Sequence, residues 1–270
     1  MNGLLLIGGK SSRMGKDKSE LTFRDQLTQK ERGIKLLQSV CDEVYLSVSS
    51  DYPPEKNAIP DAFGQIGPLG AIASAQRAQP SVSWFVLACD LPLLEVADLE
   101  TLANARDESH PAVYYTSAID KQPEPLCAIW EASSGTAVAS AITDGSLCPR
   151  NVLSQLNGNA LPALAPWSLA NTNTPADMIE VMNRLQGKSV SKTITISYYA
   201  ALRELTGKNA EQHVTDSVTP AGVFEEIRAK HKINLKRKNM MVAVNGEFTD
   251  WTHPLADGEE LVFIPPVAGG

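Results

Sequence analysis

The sequence contains little that marks a secreted, membrane-bound or nucleic-acid-binding protein. Cysteine is scarce, and the four residues stand singly without a C-x-x-C pair: Cys41, Cys89, Cys127 and Cys148. This pattern favours a reduced protein with structural thiols over a disulfide framework or a zinc site. No apolar run approaches membrane-spanning length, and the first residues lack the basic start of a signal peptide. The net charge of −7 argues against a nucleic-acid surface. We therefore expect a cytoplasmic protein with no membrane or nucleic-acid partner.

The cations that are present are unevenly distributed. Eight of the 24 Lys and Arg residues fall within the first 35 positions. One basic corner on an acidic protein indicates a small anionic ligand. Lys30, Arg32 and Lys35 have the spacing of a solvated helix face, so we expect the cations nearer the amino terminus to meet that ligand.

The segment from Leu4 to Lys18 joins an apolar strand to a glycine pair and several cations. Gly8 and Gly9 let the backbone approach an anion closely, while Arg13 and Lys18 can neutralise phosphate oxygens. The spacing is neither that of a Walker A loop nor that of G-x-G-x-x-G. By itself the segment is equally compatible with a phosphate-binding loop and with a plain turn between a strand and a helix.

A second candidate site residue, Asp90, follows the apolar run from Val86 to Ala88. Ligands of open α/β sheets gather beyond the carboxyl ends of the strands, so Asp90 is expected in the same crevice as the glycine loop. A lone carboxylate there suits Mg²⁺, which binds one or two protein oxygens and completes its shell with phosphate and water. The alternative is that Asp90 caps the next helix.

The periodicity predicts two domains. Residues 1–187 alternate short strands with helical patterns, as in a mostly parallel sheet covered by helices, a Rossmann-like α/β arrangement. A small, polar linker is expected at 188–192. Residues 193–270 show a strand, a helix that begins at Thr219-Pro220, and two late strands. This order predicts a small α+β domain of the ubiquitin-like β-grasp kind.

Residues 8–21, GGKSSRMGKDKSEL, resemble the GGxSxRMGxDKxxL signature of the molybdenum cofactor guanylyltransferases. Leu6 and Ile7 precede the glycine pair, and this L-I-G-G opening resembles the guanine-using branch more than the L-A-A-G opening of the cytidylyltransferases. The resemblance implies a nucleotidyltransferase that uses GTP and Mg²⁺, with molybdopterin or molybdenum cofactor as acceptor. Arg13, Lys18 and Asp90 are then the implied catalytic residues.

Further motifs extend the resemblance through the first domain. Cys89-Asp90-Leu91-Pro92 matches the family's CDxP element and implies that Asp90 is the metal ligand. The acidic turn at Asp61 and the GPLG run that contains Gly67 and Gly70 resemble elements that enclose guanine and ribose. Pro68 is expected to open a helix.

The resemblance also implies acceptor contacts. Asn171 and Asn173, in an NTNTP run, resemble an element that contacts the pterin or phosphate; the alternative is that they cap the following helix. Pro123–Leu126 and Arg150 occupy places where the family meets its acceptor.

The second domain resembles the small subunit of molybdopterin synthase. The resemblance rests on the SYYAALRELTG run at 197–207, on Val244-Asn245-Gly246 and on the PPVAGG run at 265–270. It implies a sulfur carrier that bears a thiocarboxylate on Gly270, with the synthase large subunit and an adenylating (E1-like) enzyme as partners. Tyr199 replaces a frequent Phe and is expected to be a packed aromatic.

We thus expect a fusion of a guanylyltransferase with a sulfur carrier. Two alternatives remain: a sulfur carrier or ubiquitin-like modifier with a degenerate nucleotidyltransferase domain, and a cytidylyltransferase.

Overall fold

The computed structural model describes residues 1–7, 18–53, 55–64, 66–117, 121–162, 167–172, 175–186, 191–217, 219–235, 237, 240–251 and 253–265. The chain divides into two compact units, Met1–Asn173 and Thr174–Gly270. The division falls before a helix that the sequence pattern assigns to the first domain, so packing groups this helix with the second unit. Each unit is described by itself.

In the first unit the described residues form one sheet of seven strands. The strands are β1 (Asn2–Leu6), β2 (Val44–Val48), β3 (Ala58–Pro60), β4 (Trp84–Ala88), β5 (Ala112–Thr116), β6 (Pro123–Trp130) and β7 (Asn159–Pro162). Their order is β3-β2-β1-β4-β6-β5-β7. Strand β6 runs antiparallel to both of its neighbours, and the remaining pairs are parallel. The expected mostly parallel sheet is confirmed.

Helices cover this sheet on both faces. They are α1 (Gln29–Gln38), α2 (Pro68–Ala78), α3 (Val96–Asn104), α4 (Gly135–Thr143) and α5 (Pro149–Gln155). A capping box between Thr28 and Glu31 starts α1, and Pro68 occupies the first position of α2 as expected. Every residue of β4 is buried because the strand is central and covered on both sides.

Two apolar clusters, one on each face of the sheet, form the core of the first unit. Leu5 and Leu87 belong to the cluster that contains Leu36 of α1 and Leu99 of α3. The alternate residues of the same strands belong to the other cluster, together with side chains of α2, α4 and α5: Leu4, Leu6, Val86, Ile72, Val138 and Leu153. This alternation fixes which side chains point to each face of the sheet.

The second unit contains one five-stranded sheet within its described residues. Its elements are α6 (Pro175–Leu185), β8 (Lys192–Tyr198), α7 (Ala200–Thr206), β9 (Ala210–Thr215), α8 (Pro220–Lys230), β10 (Met241–Val244), β11 (Glu247–Thr249) and β12 (Glu260–Ile264). The order β11-β10-β12-β8-β9 places the parallel pair β8 and β12 in the middle. Val223, Phe224 and Ile227 of α8 pack on the buried face of this sheet. This is the β-grasp arrangement that the sequence predicts.

The expected linker at 188–192 differs from the structure at its last residue. Lys192 is the first residue of β8, and its Nζ donates a hydrogen bond to the Leu255 carbonyl at 2.8 Å. Residues 188–190 lie outside the described residues. Over the part of the chain that the structure describes, no helix is long and apolar enough to cross a membrane.

Candidate functional site

The carboxyl ends of β1 and β4 lie side by side. Leu6 is in register with Ala88, and the Cys89 amide donates a hydrogen bond to the Leu6 carbonyl at 3.2 Å. Ile7 and Asp90 therefore lie at the same edge of the sheet, where ligands of such sheets bind. The glycine loop begins at this edge, but Gly8, Gly9 and Arg13 lie outside the described residues.

Lys18 and Asp90 meet at this edge. The Lys18 Nζ lies 3.1 Å from the Asp90 Oδ2, and the two side chains are 18% and 21% exposed. The N-cap of α3 is Glu95 rather than Asp90, which excludes the alternative that Asp90 caps the helix. The predicted pair of catalytic residues is thus brought together, with the carboxylate partly open to solvent.

The asparagine-rich segment reaches the same place. The amide of Thr172, a buried residue, donates a hydrogen bond to the Asp90 carbonyl at 3.0 Å. Asn171 precedes it and is exposed, whereas Asn173 lies outside the described residues. The structure therefore places Asn171 near the main chain of Asp90, as a residue contacting a ligand in this crevice requires.

The predicted nucleotide-binding turn follows β3. Asp61 comes directly after the end of this strand, and its Oδ1 accepts a hydrogen bond from the Phe63 amide at 2.9 Å. Gly67 is the N-cap of α2 with φ of 89°, a conformation that favours glycine. A Cβ at Gly70 would lie 2.7 Å from Cγ1 of Ile66 and 3.5 Å from Oδ1 of Asp61. The small residue keeps this turn close to the first turn of α2.

The two parts of the predicted acceptor contact also lie together. Arg150, in the first turn of α5, donates to both carboxylate oxygens of Glu124 at 3.3 Å. Glu124 belongs to the expected segment Pro123–Leu126, which forms the start of β6. Both bonds come from the same nitrogen, Nη2, so the contact pairs the two charges without the two parallel bonds of a bidentate fork.

The residues present fit the Mg²⁺ that the resemblance implies. Asp90 supplies one partly exposed carboxylate at the edge where the glycine loop begins. Mg²⁺ in phosphate sites is bound through one or two carboxylates, and phosphate and water oxygens complete its octahedron. A single carboxylate here therefore suits a metal that binds together with a nucleotide.

The burial of Arg32 contradicts the expectation that this residue lies on a solvated helix face. Lys35 is exposed on α1, as a solvated face requires, but Arg32 is 6% exposed and donates a hydrogen bond to the Leu94 carbonyl. Arg24 donates to the same carbonyl at 2.9 Å. Helical periodicity could not reveal these contacts, because the acceptor belongs to a turn far along the chain.

Asp98 is a second residue that sequence reasoning missed. It is buried in α3, where burial raises the pKa of its carboxyl above the ordinary value. This carboxyl accepts hydrogen bonds from the Glu95 amide at 2.8 Å and from the Ser168 side chain. It therefore ties the start of α3 to the segment that continues to Thr172. Its spacing from Glu95 is that of a capping box, which is the signal that could have found it.

The tail that carries Gly270 follows β12, the last strand of the second unit. β12 ends at Ile264, and residues 266–270, which include Gly270, lie outside the described residues. Asn245 and Gly246 have φ of 50° and 84° and form the turn between β10 and β11. Tyr199 is 56% exposed, so the expectation of a packed aromatic there is wrong; the packed residue is Tyr198.

Two domain families match the chain in succession. Residues 3–160 match the family described as the MobA-like NTP transferase domain, which is more than half of the chain. Residues 196–270 match the ThiS family.

Relatives of known name match one part or the other. The molybdenum cofactor biosynthesis bifunctional protein of Synechocystis is 29% identical over 180 residues, which is 65% of this chain but only 52% of that protein. The chain thus spans about half the length of that relative. A probable molybdenum cofactor guanylyltransferase of Trichormus variabilis is 29% identical over 210 residues, 72% of this chain and 97% of that protein.

The second unit has a relative of its own. The molybdopterin synthase sulfur carrier subunit of Escherichia coli is 32% identical over 80 residues, 28% of this chain and 99% of that subunit.

A solved structure resembles the first unit. It is the molybdopterin-guanine dinucleotide biosynthesis protein A of Archaeoglobus fulgidus, with a TM-score of 0.55 and 23% identity over 69% of this chain and all of that chain. At this identity the likeness establishes the nucleotidyltransferase fold. The chain therefore belongs to the MobA-like NTP transferase domain family through its first unit, and to the ThiS family through its second unit.

Proposed function

We propose that the first unit transfers GMP from GTP to molybdopterin or molybdenum cofactor. The observation that carries this proposal is the contact of Lys18 with Asp90 at the sheet edge where the phosphate-binding loop begins. The family match, the bifunctional relative and the guanylyltransferase relatives support it.

The proposed reaction needs no nucleophile from the protein. An oxygen of the acceptor phosphate attacks the α-phosphorus of GTP, a new phosphorus–oxygen bond forms, and the bond to the departing pyrophosphate breaks. Mg²⁺ bound at Asp90 would supply positive charge to the phosphate oxygens during this transfer.

The remaining roles belong to the chain itself. Lys18 places an ammonium beside the same phosphates, and Arg13 is proposed to bind the leaving pyrophosphate. Leu6, Ile7, Gly8 and Gly9 are proposed to form the floor of the nucleotide site.

Further residues around this edge hold the two substrates. Asp61, Gly67 and Gly70 are proposed to enclose guanine and ribose, and Asn171 and Asn173 to contact the pterin or phosphate. The ion pair of Arg150 with Glu124 is proposed to orient the guanidinium toward the acceptor.

We propose further that the second unit carries sulfur for molybdopterin synthesis as a thiocarboxylate on Gly270. Its partners are an adenylating enzyme that activates the glycine and the large subunit of molybdopterin synthase that accepts the sulfur. The sulfur carrier subunit of Escherichia coli supports this assignment, because the match covers 99% of that subunit. Both activities are proposed to operate in the cytoplasm.

Two measurements on one preparation of the full chain test the proposed GMP transfer and the proposed sulfur transfer. The protein is incubated with GTP, Mg²⁺ and molybdopterin, and the dinucleotide product and pyrophosphate are measured. Intact-mass spectrometry of the same preparation, after treatment with an adenylating enzyme, ATP and a sulfur donor, detects the exchange of oxygen for sulfur. If sulfur is gained but no dinucleotide forms, the chain is a carrier with a degenerate nucleotidyltransferase domain. Dinucleotide without sulfur leaves the second unit as a docking module.

A further inference from the structure

The turn that carries Asp90 is held by two arginines at its far end. This turn, Asp90–Glu95, connects β4 to α3. The carbonyl of Leu94 accepts hydrogen bonds from Nη2 of Arg24 at 2.9 Å and from Nη2 of Arg32. We call Arg24 and Arg32 the arginine clamp. Two guanidinium groups on one main-chain oxygen use both of its lone pairs, so the position of Leu94 is fixed from two directions.

Stability alone does not explain why Arg32 is buried, because burying its charge costs free energy. Its side chain is 7% exposed, and the Glu95 carboxylate, itself 60% exposed, lies 3.9 Å away. The Nε atoms of both arginines are buried without a hydrogen-bond partner among the described residues. Burying a cation that is only partly compensated is often less stable than filling the same space with an apolar side chain. The arrangement therefore points to a requirement for geometry in the turn.

The turn is also held at its near end. The Thr172 amide donates to the Asp90 carbonyl at 3.0 Å, and the Cys89 amide is bonded to the Leu6 carbonyl at 3.2 Å. With Leu94 held by the clamp, main-chain atoms on both sides of the Asp90 side chain are fixed. Leu91 and Leu94 are buried, which leaves the turn little freedom to shift as a body.

We propose that Arg32 and Arg24 are positioning residues for the divalent cation: they hold the Asp90–Glu95 turn so that the Asp90 carboxylate is oriented to bind the metal before it arrives. This inference rests on the proposed function, because it takes Asp90 as the metal ligand. Groups that hydrogen-bond a metal ligand directly contribute about ten- to a hundred-fold to metal affinity. The clamp acts on Asp90 through the main chain, so the low end of this range applies.

The test measures cation binding directly in the full chain. Mn²⁺, used as the probe, is titrated together with a non-hydrolysable GTP analogue into the wild type and into Arg32→Met, Arg32→Lys and Arg24→Met. The free ion is followed by electron paramagnetic resonance, and binding to the analogue alone is subtracted. Lys35→Met, on the exposed side of α1, is the matched control, and Asp90→Asn removes the proposed ligand. Thermal unfolding and the Mg²⁺ concentration for half-maximal GMP transfer are measured on the same proteins.

We expect Arg32→Met and Arg24→Met to weaken Mn²⁺ binding and to raise the Mg²⁺ requirement by up to about ten-fold. Arg32→Lys should recover part of the loss, and Lys35→Met should match the wild type. Arg24 is the more exposed arginine, so its variant tests the clamp even if Arg32→Met fails to fold. Suppose that Asp90→Asn loses the ion, but the clamp variants keep the wild-type Mn²⁺ affinity and only unfold at a lower temperature. That result would overturn this inference and leave the proposed metal site standing. Equal Mn²⁺ binding by the wild type and Asp90→Asn would overturn the proposed metal site and the inference with it.

Discussion

The Lys18 ammonium and the Asp90 carboxylate form an ion pair of 3.1 Å between residues that are 72 positions apart. The pair satisfies both charges in the absence of ligands. A nucleotide with its cation offers each partner a stronger counterpart: phosphate oxygens for Lys18 and a divalent ion for Asp90. Substrate binding is therefore expected to exchange one ion pair for two, without leaving a charge uncompensated.

Asp90→Asn should nearly abolish GMP transfer and leave the fold intact, because it removes the charge of a partly exposed side chain and keeps its shape. Lys18→Ala should raise the barrier to transfer by about 2 to 4 kcal/mol, as for other preorganised electrostatic groups. Initial rates at saturating Mg²⁺ measure both effects, with Asp144→Asn and Lys35→Ala as exposed controls. Wild-type rates in the two site variants would mean that the site lies elsewhere.

GTP should be preferred over CTP and ATP when Mg²⁺ is present. The Leu6-Ile7 opening and the GPLG run that contains Gly67 and Gly70 resemble the guanine-using branch of the family. Competition among the three nucleotides at equal concentration, with the products separated by mass, measures the preference. Fastest turnover with CTP would make the enzyme a cytidylyltransferase and leave the fold assignment unchanged.

Gly70→Ala should weaken nucleotide binding more than it slows turnover. The new methyl group would lie 2.7 Å from Ile66 Cγ1, so Ile66 must move, and the adjacent Asp61 turn with it. Overpacking of this size costs about 1 to 3 kcal/mol. We expect KM for GTP to rise and kcat to change little. Ala78→Ser, at the exposed end of α2, adds one atom to the same helix and should change neither. A normal KM in Gly70→Ala would place the nucleotide away from this turn.

Deletion of Gly270, or extension of the chain beyond it, should eliminate sulfur transfer and leave GMP transfer nearly unchanged. The reacting carboxylate belongs to the tail of the second unit, whereas Lys18 and Asp90 belong to the first. Intact-mass spectrometry and the dinucleotide assay on one preparation separate the two activities. Sulfur gain by the chain without Gly270 would contradict the thiocarboxylate assignment.

The second unit should lose stability in acid through Glu211. Burial alone would raise the pKa of this carboxyl, but hydrogen bonds from Lys208, His231, Tyr198 and Lys230 outweigh burial and hold the pKa well below the ordinary value of 4.5. A carboxyl with a depressed pKa in the folded state stabilises the fold above its unfolded-state pKa. That stabilisation is lost as the pH falls below about 4.5 toward the folded-state pKa.

Glu211→Gln should therefore unfold more easily at neutral pH and show a shallower decline in acid. Hydrogen exchange of peptides from β9 in the full chain, measured in urea at several pH values and corrected for intrinsic exchange rates, reports this unit. Glu204→Gln, an exposed control on α7, should follow the wild type. An equal acid dependence in Glu211→Gln and the wild type would show that other groups cause the decline.

The meeting of Lys18 with Asp90 was predictable from sequence, because both residues follow strands whose carboxyl ends share one edge of a parallel sheet. The starts of α2 and α8 were predictable for a local reason: Pro68 and Pro220 occupy first helical positions. The helix starts depend on residues adjacent in the chain, and the meeting of Lys18 with Asp90 depends on the rule that parallel strands end at one edge of a sheet.

What escaped prediction depends on contacts between distant segments. β3 has only three residues, Ala58–Pro60, too few to show a period, and its pairing with β2 defines it. The burial of Arg32 is decided by the Leu94 carbonyl rather than by α1. Tyr198 is the last residue of β8 and is buried, whereas Tyr199 is the N-cap of α7 and is exposed, so the position at which the strand ends decides which ring is packed.

The central place of β12 has a consequence for synthesis on the ribosome. Every strand of the first sheet has been made once Pro162 emerges, so that unit can fold while translation continues. The second sheet cannot close in this way, because β12 lies between β8 and β10 and is its last strand to be translated. Until Ile264 is free, β8 with β9 and β10 with β11 remain two separate antiparallel strand pairs. A nascent chain that stalls before Glu260 would thus hold a folded first unit and an incomplete second sheet.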